Sequence, residues 1–92
     1  MIHEFTLVID GCFSGRDFGD VADQFAAAFA NGDVVPHTRH GEAFAEVYRD
    51  SDKPLKETIR EVIDQVRQLG YQVKGVQIVA AEEINRELAG AN

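Results

Sequence analysis

The spacing of apolar residues changes along the chain and marks out its first elements. Residues 4–10 alternate, with Phe5, Leu7 and Ile9 on one face, which predicts a β-strand. A glycine-bearing turn follows over residues 11–15, and from Asp17 the period lengthens. Apolar residues then recur at i, i+3, i+4, i+7 and i+11, which predicts an amphipathic helix ended by Asn31-Gly32. Its apolar stripe consists of Phe18, Val21, Ala22, Phe25 and Phe29.

Residues 34–50 have the pattern of a β-hairpin. Pro36 cannot donate a hydrogen bond to a neighbouring strand, so it indicates an edge strand. The turn is predicted at Arg39-His40-Gly41-Glu42. The strand after it has two faces, one with Ala43, Ala45 and Val47, the other with Phe44, Glu46 and Tyr48.

The second half of the chain predicts a helix, a strand and a short last helix. Ser51 or Asp52 is the expected N-cap of a helix over residues 55–69, with Pro54 in its first turn. Gly70 follows the end of this helix, as C′ glycines do. Residues 71–79 predict a strand with a bulge at Gly75, and residues 81–88 a short helix.

This order, β-α-β-β-α-β, predicts an α+β fold with one domain over residues 1–92. The arrangement it favours is a ferredoxin-like sandwich, in which a four-stranded antiparallel sheet carries two helices on one face, followed here by the short C-terminal helix. The other face of the sheet is left for solvent, a ligand, a partner or that last helix. We expect this open face to matter most for function.

Composition narrows the function mainly by exclusion. The 92 residues include 16 Asp and Glu against 9 Lys and Arg, a net charge of −7, which argues against direct binding to nucleic acid. Cys12 is the single cysteine, no signal peptide is visible, and no apolar run reaches the length of a membrane span, so we expect a cytoplasmic protein. Residues 1–33 are the most acidic part, with six carboxylates and only Arg16 as a basic residue.

Three stretches carry a family resemblance that extends over most of the chain. They are Phe5-Thr6-Leu7-Val8-Ile9-Asp10-Gly11, Arg39-His40-Gly41 and Ala45-Glu46-Val47-Tyr48-Arg49-Asp50. They resemble actinobacterial proteins that join an N-terminal α/β domain to a C-terminal helix-turn-helix of the excisionase type. Residues 80–88 would correspond to the first helix of that DNA-binding unit. Since the sequence stops at Asn92, the resemblance implies the N-terminal domain without its DNA reader.

Two groups of residues invite a catalytic or metal-binding interpretation. Residues 10–17 form a glycine-bearing loop before a helix, where Arg16 and backbone N–H groups could hold a phosphate. The loop resembles that of acylphosphatases, but residues 34–40 lack the asparagine those enzymes use, and the nearby aspartates would repel a phosphate. Cys12 in the same loop is expected to be a structural thiol.

His37 and His40 are three apart without a recognisable ligand set, so no metal or cofactor is expected.

The function predicted from the sequence is that of a non-catalytic protein-interaction or regulatory module that binds a larger partner or self-associates, for example as a homodimer. An alternative is a small acidic inhibitor encoded by a phage or mobile element, of the anti-CRISPR type, that blocks a basic nucleic-acid-binding surface. An acylphosphatase-like hydrolase ranks third. The predicted protein-binding residues are Asp17, Asp20, Asp23, Phe44 and Tyr48.

Overall fold

A computed structural model describes residues 1–78 of the chain. They form four strands, two helices and one short turn of 3₁₀ type. In chain order these are β1 (Ile2–Ile9), the turn Cys12–Gly15, α1 (Phe18–Ala28), β2 (Val34–Arg39), β3 (Glu42–Asp50), α2 (Leu55–Gln68) and β4 (Val73–Gln77). The α+β prediction is confirmed. The helix predicted over residues 81–88 lies outside the described residues.

The four strands form one antiparallel sheet in the order β2-β3-β1-β4. β1 and β3 are therefore the central pair, with Phe5 opposite Val47 and Leu7 opposite Ala45. β1 and β2 run parallel to each other with β3 between them, and β3 and β4 run parallel with β1 between them. The two β-α-β units are thus interleaved, as β-α-β-β-α-β chains commonly arrange them.

Both helices cover the same face of the sheet. The buried core combines the inward residues of the central strands with Val21 and Phe25 of α1 and Val62 and Val66 of α2. α1 packs over β2, whereas α2 packs over β1 and β4. The sheet contributes Phe5, Leu7, Ile9, Val34, Ala43, Ala45 and Val47 to this core. The burial follows the predicted alternation, since every second residue of β1 and β3 points to the helices.

The loop between β1 and α1 contains a left-handed turn. Five consecutive residues, 11–15, have φ between 45° and 72°, including the non-glycine Cys12, Phe13 and Ser14. Such a conformation costs about 1–2 kcal/mol for each L-residue other than glycine. The turn places Phe13, which is 1% exposed, against Phe25 and Tyr71. Burial of this aromatic ring offsets the local strain.

The hairpin between β2 and β3 matches its prediction. His40 and Gly41 both have positive φ, 52° and 77°, which is the geometry of a tight two-residue turn. The amide of Tyr48 donates to the carbonyl oxygen of Asp33, at 2.8 Å. Because bonded positions alternate along an antiparallel pair, the nitrogen of Pro36 lies on the outer side of β2, where a proline removes a free donor from the sheet edge.

The start of α2 differs from its prediction. Its N-cap position is Pro54, so the expectation that Ser51 or Asp52 caps the helix and that Pro54 lies in the first turn is wrong. The Oγ of Ser51 instead accepts the amide of Lys53, at 3.1 Å. The hydroxyl of Thr58 donates to the carbonyl oxygen of Pro54, at 3.1 Å, which allows a threonine to be fully buried in the first turn of the helix.

β4 contains the predicted bulge but is shorter than predicted. Val8 lies opposite Gly75 and Ile9 opposite Val73, so Lys74 is the extra residue. The bulge lets Val73 pack against the core although Val76 lies on the same side of the sheet. Tyr71, predicted to open the strand, precedes it and is buried. No helix within residues 1–78 is long and apolar enough to cross a membrane.

Candidate functional site

The sheet face opposite the helices is not covered by any described element. We call it the open sheet face. Alternation places on it Ile2, Glu4, Thr6 and Val8 of β1, Val35, His37 and Arg39 of β2, Glu42, Phe44, Glu46 and Tyr48 of β3, and Gly75 and Gln77 of β4. It combines exposed apolar groups with carboxylates on the central strands.

Register brings the polar and aromatic residues of this face into rows. Glu46 lies opposite Thr6 on one side and Val35 on the other, and Tyr48 lies opposite Glu4. The next row joins Phe44 to Val8 and His37, with the His37 and Phe44 ring centroids 6.3 Å apart. A shallow depression of about 250 Å³ lies among Glu4, Thr6, Glu46 and Tyr48. It is open to solvent and suits a side chain of a partner rather than an enclosed substrate.

The charge of the open sheet face is negative. Glu4 and Glu46 are exposed, and neither forms an ion pair within residues 1–78. Among residues 1–78, alternation places one arginine on this face, Arg39, at the end of β2 opposite Glu42. Two unpaired carboxylates beside Tyr48, which is 60% exposed, form a surface that favours cationic groups.

The predicted binding residues occupy two different surfaces. Phe44 and Tyr48 lie on the open sheet face, as their spacing along β3 predicts. Asp17, Asp20 and Asp23 are exposed on or just before α1, in the helix layer on the opposite side of the sheet. The structure therefore does not bring the aspartates and the aromatic residues together, and a partner that contacts one group need not contact the other.

Arg16, the candidate phosphate ligand of the loop before α1, contacts other residues of the protein. Its Nη1 donates to the hydroxyl oxygen of Tyr71, at 3.3 Å, and to Oε1 of Gln24, at 3.4 Å, while its guanidinium lies over the Tyr71 ring, 5.4 Å from the centroid. The hydroxyl of Tyr71 also donates to Oε1 of Gln24. These contacts join the loop to α1 and to the segment before β4. Cys12, beside them, is exposed.

The two histidines of the hairpin lie in different places. The ring of His37 lies beside that of Phe44 on the open sheet face, tilted by 34°, whereas His40 lies in the hairpin turn. Within residues 1–78, no group of three or more His, Cys, Asp or Glu side chains has an arrangement that could hold a metal ion.

Arg49 of β3 is an inward basic residue that sequence reasoning missed. Its side chain is only 13% exposed, because it points into the helix layer. Its Nε donates to Asp33 at 2.8 Å, and its Nη1 donates to Gln65 at 2.9 Å. Its guanidinium carbon lies 6.0 Å from the centroid of the Phe29 ring. Odd-numbered positions of β3 face the helices, and that parity was the signal in the sequence that could have placed Arg49 inside.

His3 is a second inward polar residue that sequence reasoning missed. It is 8% exposed, and its Nε2 donates to the carbonyl oxygen of Lys53, at 2.8 Å. It shares the strand face of Phe5, so its place in the alternation of β1 indicated burial. The contact joins β1 to the connection before α2.

Comparison of the chain with protein-family models, with curated proteins and with solved structures finds no match. The resemblance to the N-terminal domain of excisionase-type proteins therefore stays a prediction that rests on the sequence.

Proposed function

We propose that this protein is a non-catalytic protein-interaction module that binds a basic partner through its open sheet face. The observation that carries the proposal is a pair of exposed carboxylates, Glu4 and Glu46, beside Tyr48 on the open sheet face, neither of which forms an ion pair within residues 1–78. Arginine suits this surface because its guanidinium both pairs with carboxylates and stacks on aromatic rings.

The topology supports a ferredoxin-like fold for this module. Each of its two β-α-β units encloses one strand of the other, with β1 and β3 at the centre. Within residues 1–78 both helices lie on one side of the sheet, so a partner on the other side can contact several strands at once.

The proposal is tested with the double variant Glu4→Gln and Glu46→Gln. We expect an octa-arginine peptide to bind this variant about tenfold more weakly than the parent protein, because two charge contacts of roughly 0.5–1 kcal/mol each are lost. Fluorescence anisotropy of the labelled peptide at fixed ionic strength measures the dissociation constant. Tyr48→Ala is expected to weaken binding by a further few-fold.

The matched control removes the same charge from the other side of the molecule. Glu57 and Asp64 are exposed on α2, and the double variant Glu57→Gln and Asp64→Asn is expected to change the dissociation constant less than twofold. Equal weakening in both double variants would mean that only net charge matters, and the proposal would then be wrong.

The acidic inhibitor of a nucleic-acid-binding surface remains the second candidate. What favours it is that Asp17, Asp20 and Asp23 are all exposed and form no ion pair within residues 1–78. In this case the partner would be a nucleic-acid-binding protein whose basic groove accepts α1 in place of phosphates.

The two candidates predict different outcomes for a partner captured from the native host. If the inhibitor proposal is right, changing all three aspartates to asparagine abolishes capture, and added nucleic acid displaces the parent protein in competition. If the open sheet face is the binding surface, the Glu4 and Glu46 variant loses the partner and the aspartate variant retains it. Immunoblotting of the identified partner after pull-down distinguishes them.

A further inference from the structure

A second surface lies at the edge of the sheet, between α1 and β2. It is a groove of about 220 Å³, and every residue that lines it is apolar or glycine. Phe18, Ala22 and Ala26 form its helix side, and Val35 and Pro36 its strand side, with Phe29 below. Phe18 and Val35 remain 43% and 49% exposed, so apolar surface is left in contact with water on both rims. We call this surface the α1–β2 groove.

The volume of the groove matches that of a single apolar side chain. An apolar cavity of about 150 Å³ accommodates benzene, whereas pockets for drug-sized ligands begin at about 300 Å³. The groove lies between these values, and its lining offers no polar side chain to orient a small molecule. A phenyl or branched aliphatic side chain of a partner protein matches both the volume and the apolar lining of the groove. Such side chains are common anchors of protein interfaces.

The charge around the groove determines what surrounds this anchor. Asp23 is exposed and lies one helical turn before Ala26, so it borders the groove on the helix side. Asp23 forms no ion pair within the part of the chain that the structure describes. The nearby Arg49 is turned inward and paired with Asp33 at 2.8 Å, so it adds no free positive charge.

This charge favours a basic partner over a second copy of the chain. The exposed Phe18 of a second copy stands between Asp17 and Asp20 in the sequence, so it would bring carboxylates towards Asp23. Each copy also has a net charge of −7, which adds repulsion. A partner segment with lysine or arginine beside an apolar residue fills the groove and pairs with Asp23 without this repulsion.

The edge of β2 further restricts how the segment is held. Pro36 has no amide hydrogen at its outward position, so an extended chain cannot add to β2 as a regular fifth strand. The side chain of the partner must therefore provide the anchor. We propose that the α1–β2 groove binds an apolar or aromatic residue flanked by basic residues in a partner protein.

The test uses three labelled peptides and one pair of variants. The basic peptide Lys-Arg-Phe-Arg-Lys is compared with Lys-Arg-Ala-Arg-Lys, which lacks the anchor, and with Glu-Asp-Phe-Asp-Glu, which reverses the charge. Ala26→Leu fills the groove, and Ala27→Leu adds the same volume to the same helix at an exposed position outside the groove lining. Circular dichroism melting verifies that both variants fold like the parent protein.

We expect the phenylalanine peptide to bind the parent protein at least tenfold more tightly than either other peptide. Ala26→Leu should weaken its binding about tenfold, Ala27→Leu less than twofold, and Asp23→Asn two- to threefold. Equal effects of the two leucine variants would overturn the proposal, as would equal binding of the acidic peptide. So would a dimer in sedimentation equilibrium that Ala26→Leu dissociates, since the occupant would then be a second copy.

The outcome is independent of the proposed role of the open sheet face. The octa-arginine peptide has no apolar anchor, and Glu4 does not line the groove. If the groove proposal is wrong, the loss of octa-arginine binding in the Glu4 and Glu46 variant is still expected. If the open sheet face is not a binding surface, the difference between Ala26→Leu and Ala27→Leu is still expected.

Discussion

Replacing Tyr71 with alanine is expected to lower the free energy of unfolding by about 3–5 kcal/mol, the cost typical of deleting a buried aromatic ring. The ring is 1% exposed and packs against Phe13 at 5.3 Å and Phe25 at 5.9 Å between centroids. Its removal leaves a cavity beneath the left-handed turn, which depends on the burial of Phe13. Chemical denaturation followed by circular dichroism measures the change.

Tyr71→Phe separates the hydroxyl from the ring. We expect it to cost only about 1 kcal/mol, because the ring remains and the lost hydrogen bonds to Gln24 and Arg16 are partly replaced by water. If phenylalanine destabilised the protein as much as alanine, the hydrogen-bonded network, and not the packing, would be what holds the turn.

Replacing Arg49 with methionine is expected to cost about 2–3 kcal/mol. Methionine retains an apolar stem, but it removes the guanidinium from Asp33, Gln65 and the Phe29 ring. Asp33 is 19% exposed, so its carboxylate would lose a close partner in a place that water reaches poorly. Urea denaturation gives the change in the free energy of unfolding.

An exposed ion pair provides the control for Arg49. The N-terminal ammonium of Met1 and the carboxylate of Asp50 are 3.0 Å apart, but they are 83% and 80% exposed, so Asp50→Asn is expected to change stability by less than about 0.5 kcal/mol. A double-mutant cycle between Arg49→Met and Asp33→Asn should give a coupling free energy above about 1 kcal/mol. Additive effects would show that the pairing of Arg49 with Asp33 does not contribute to stability.

The sequence predicts those parts of the molecule whose signals are local. The hairpin turn depends on His40-Gly41, the bulge in β4 on a slip of alternation beside Gly75, and the shared face of Phe44 and Tyr48 on the two-residue period of a strand. Each requires only neighbours along the chain. The open sheet face could therefore be anticipated together with two of its residues.

The other features depend on partners far apart in the sequence. Arg16 contacts Tyr71, 55 positions away, and nothing near Arg16 distinguishes a structural clamp from a phosphate ligand. The α1–β2 groove likewise joins residues of a helix to a strand beyond the next loop. Predicting that Asp17, Asp20 and Asp23 lie on the opposite side of the sheet from Phe44 requires the order of the layers in the fold. The distribution of charge along the chain does not give that order.

Pro36 lies at the outer edge of β2 and limits how many copies of this sheet can join edge to edge. The outward amide and carbonyl of Val76 on β4 are not paired with another strand within residues 1–78, whereas the β2 edge lacks a donor at Pro36. If two sheets joined edge to edge through β4, both ends of the combined sheet would be β2. The missing donor at Pro36 would disfavour addition of a further sheet at either end, so this edge arrangement favours a pair of copies over an extended stack.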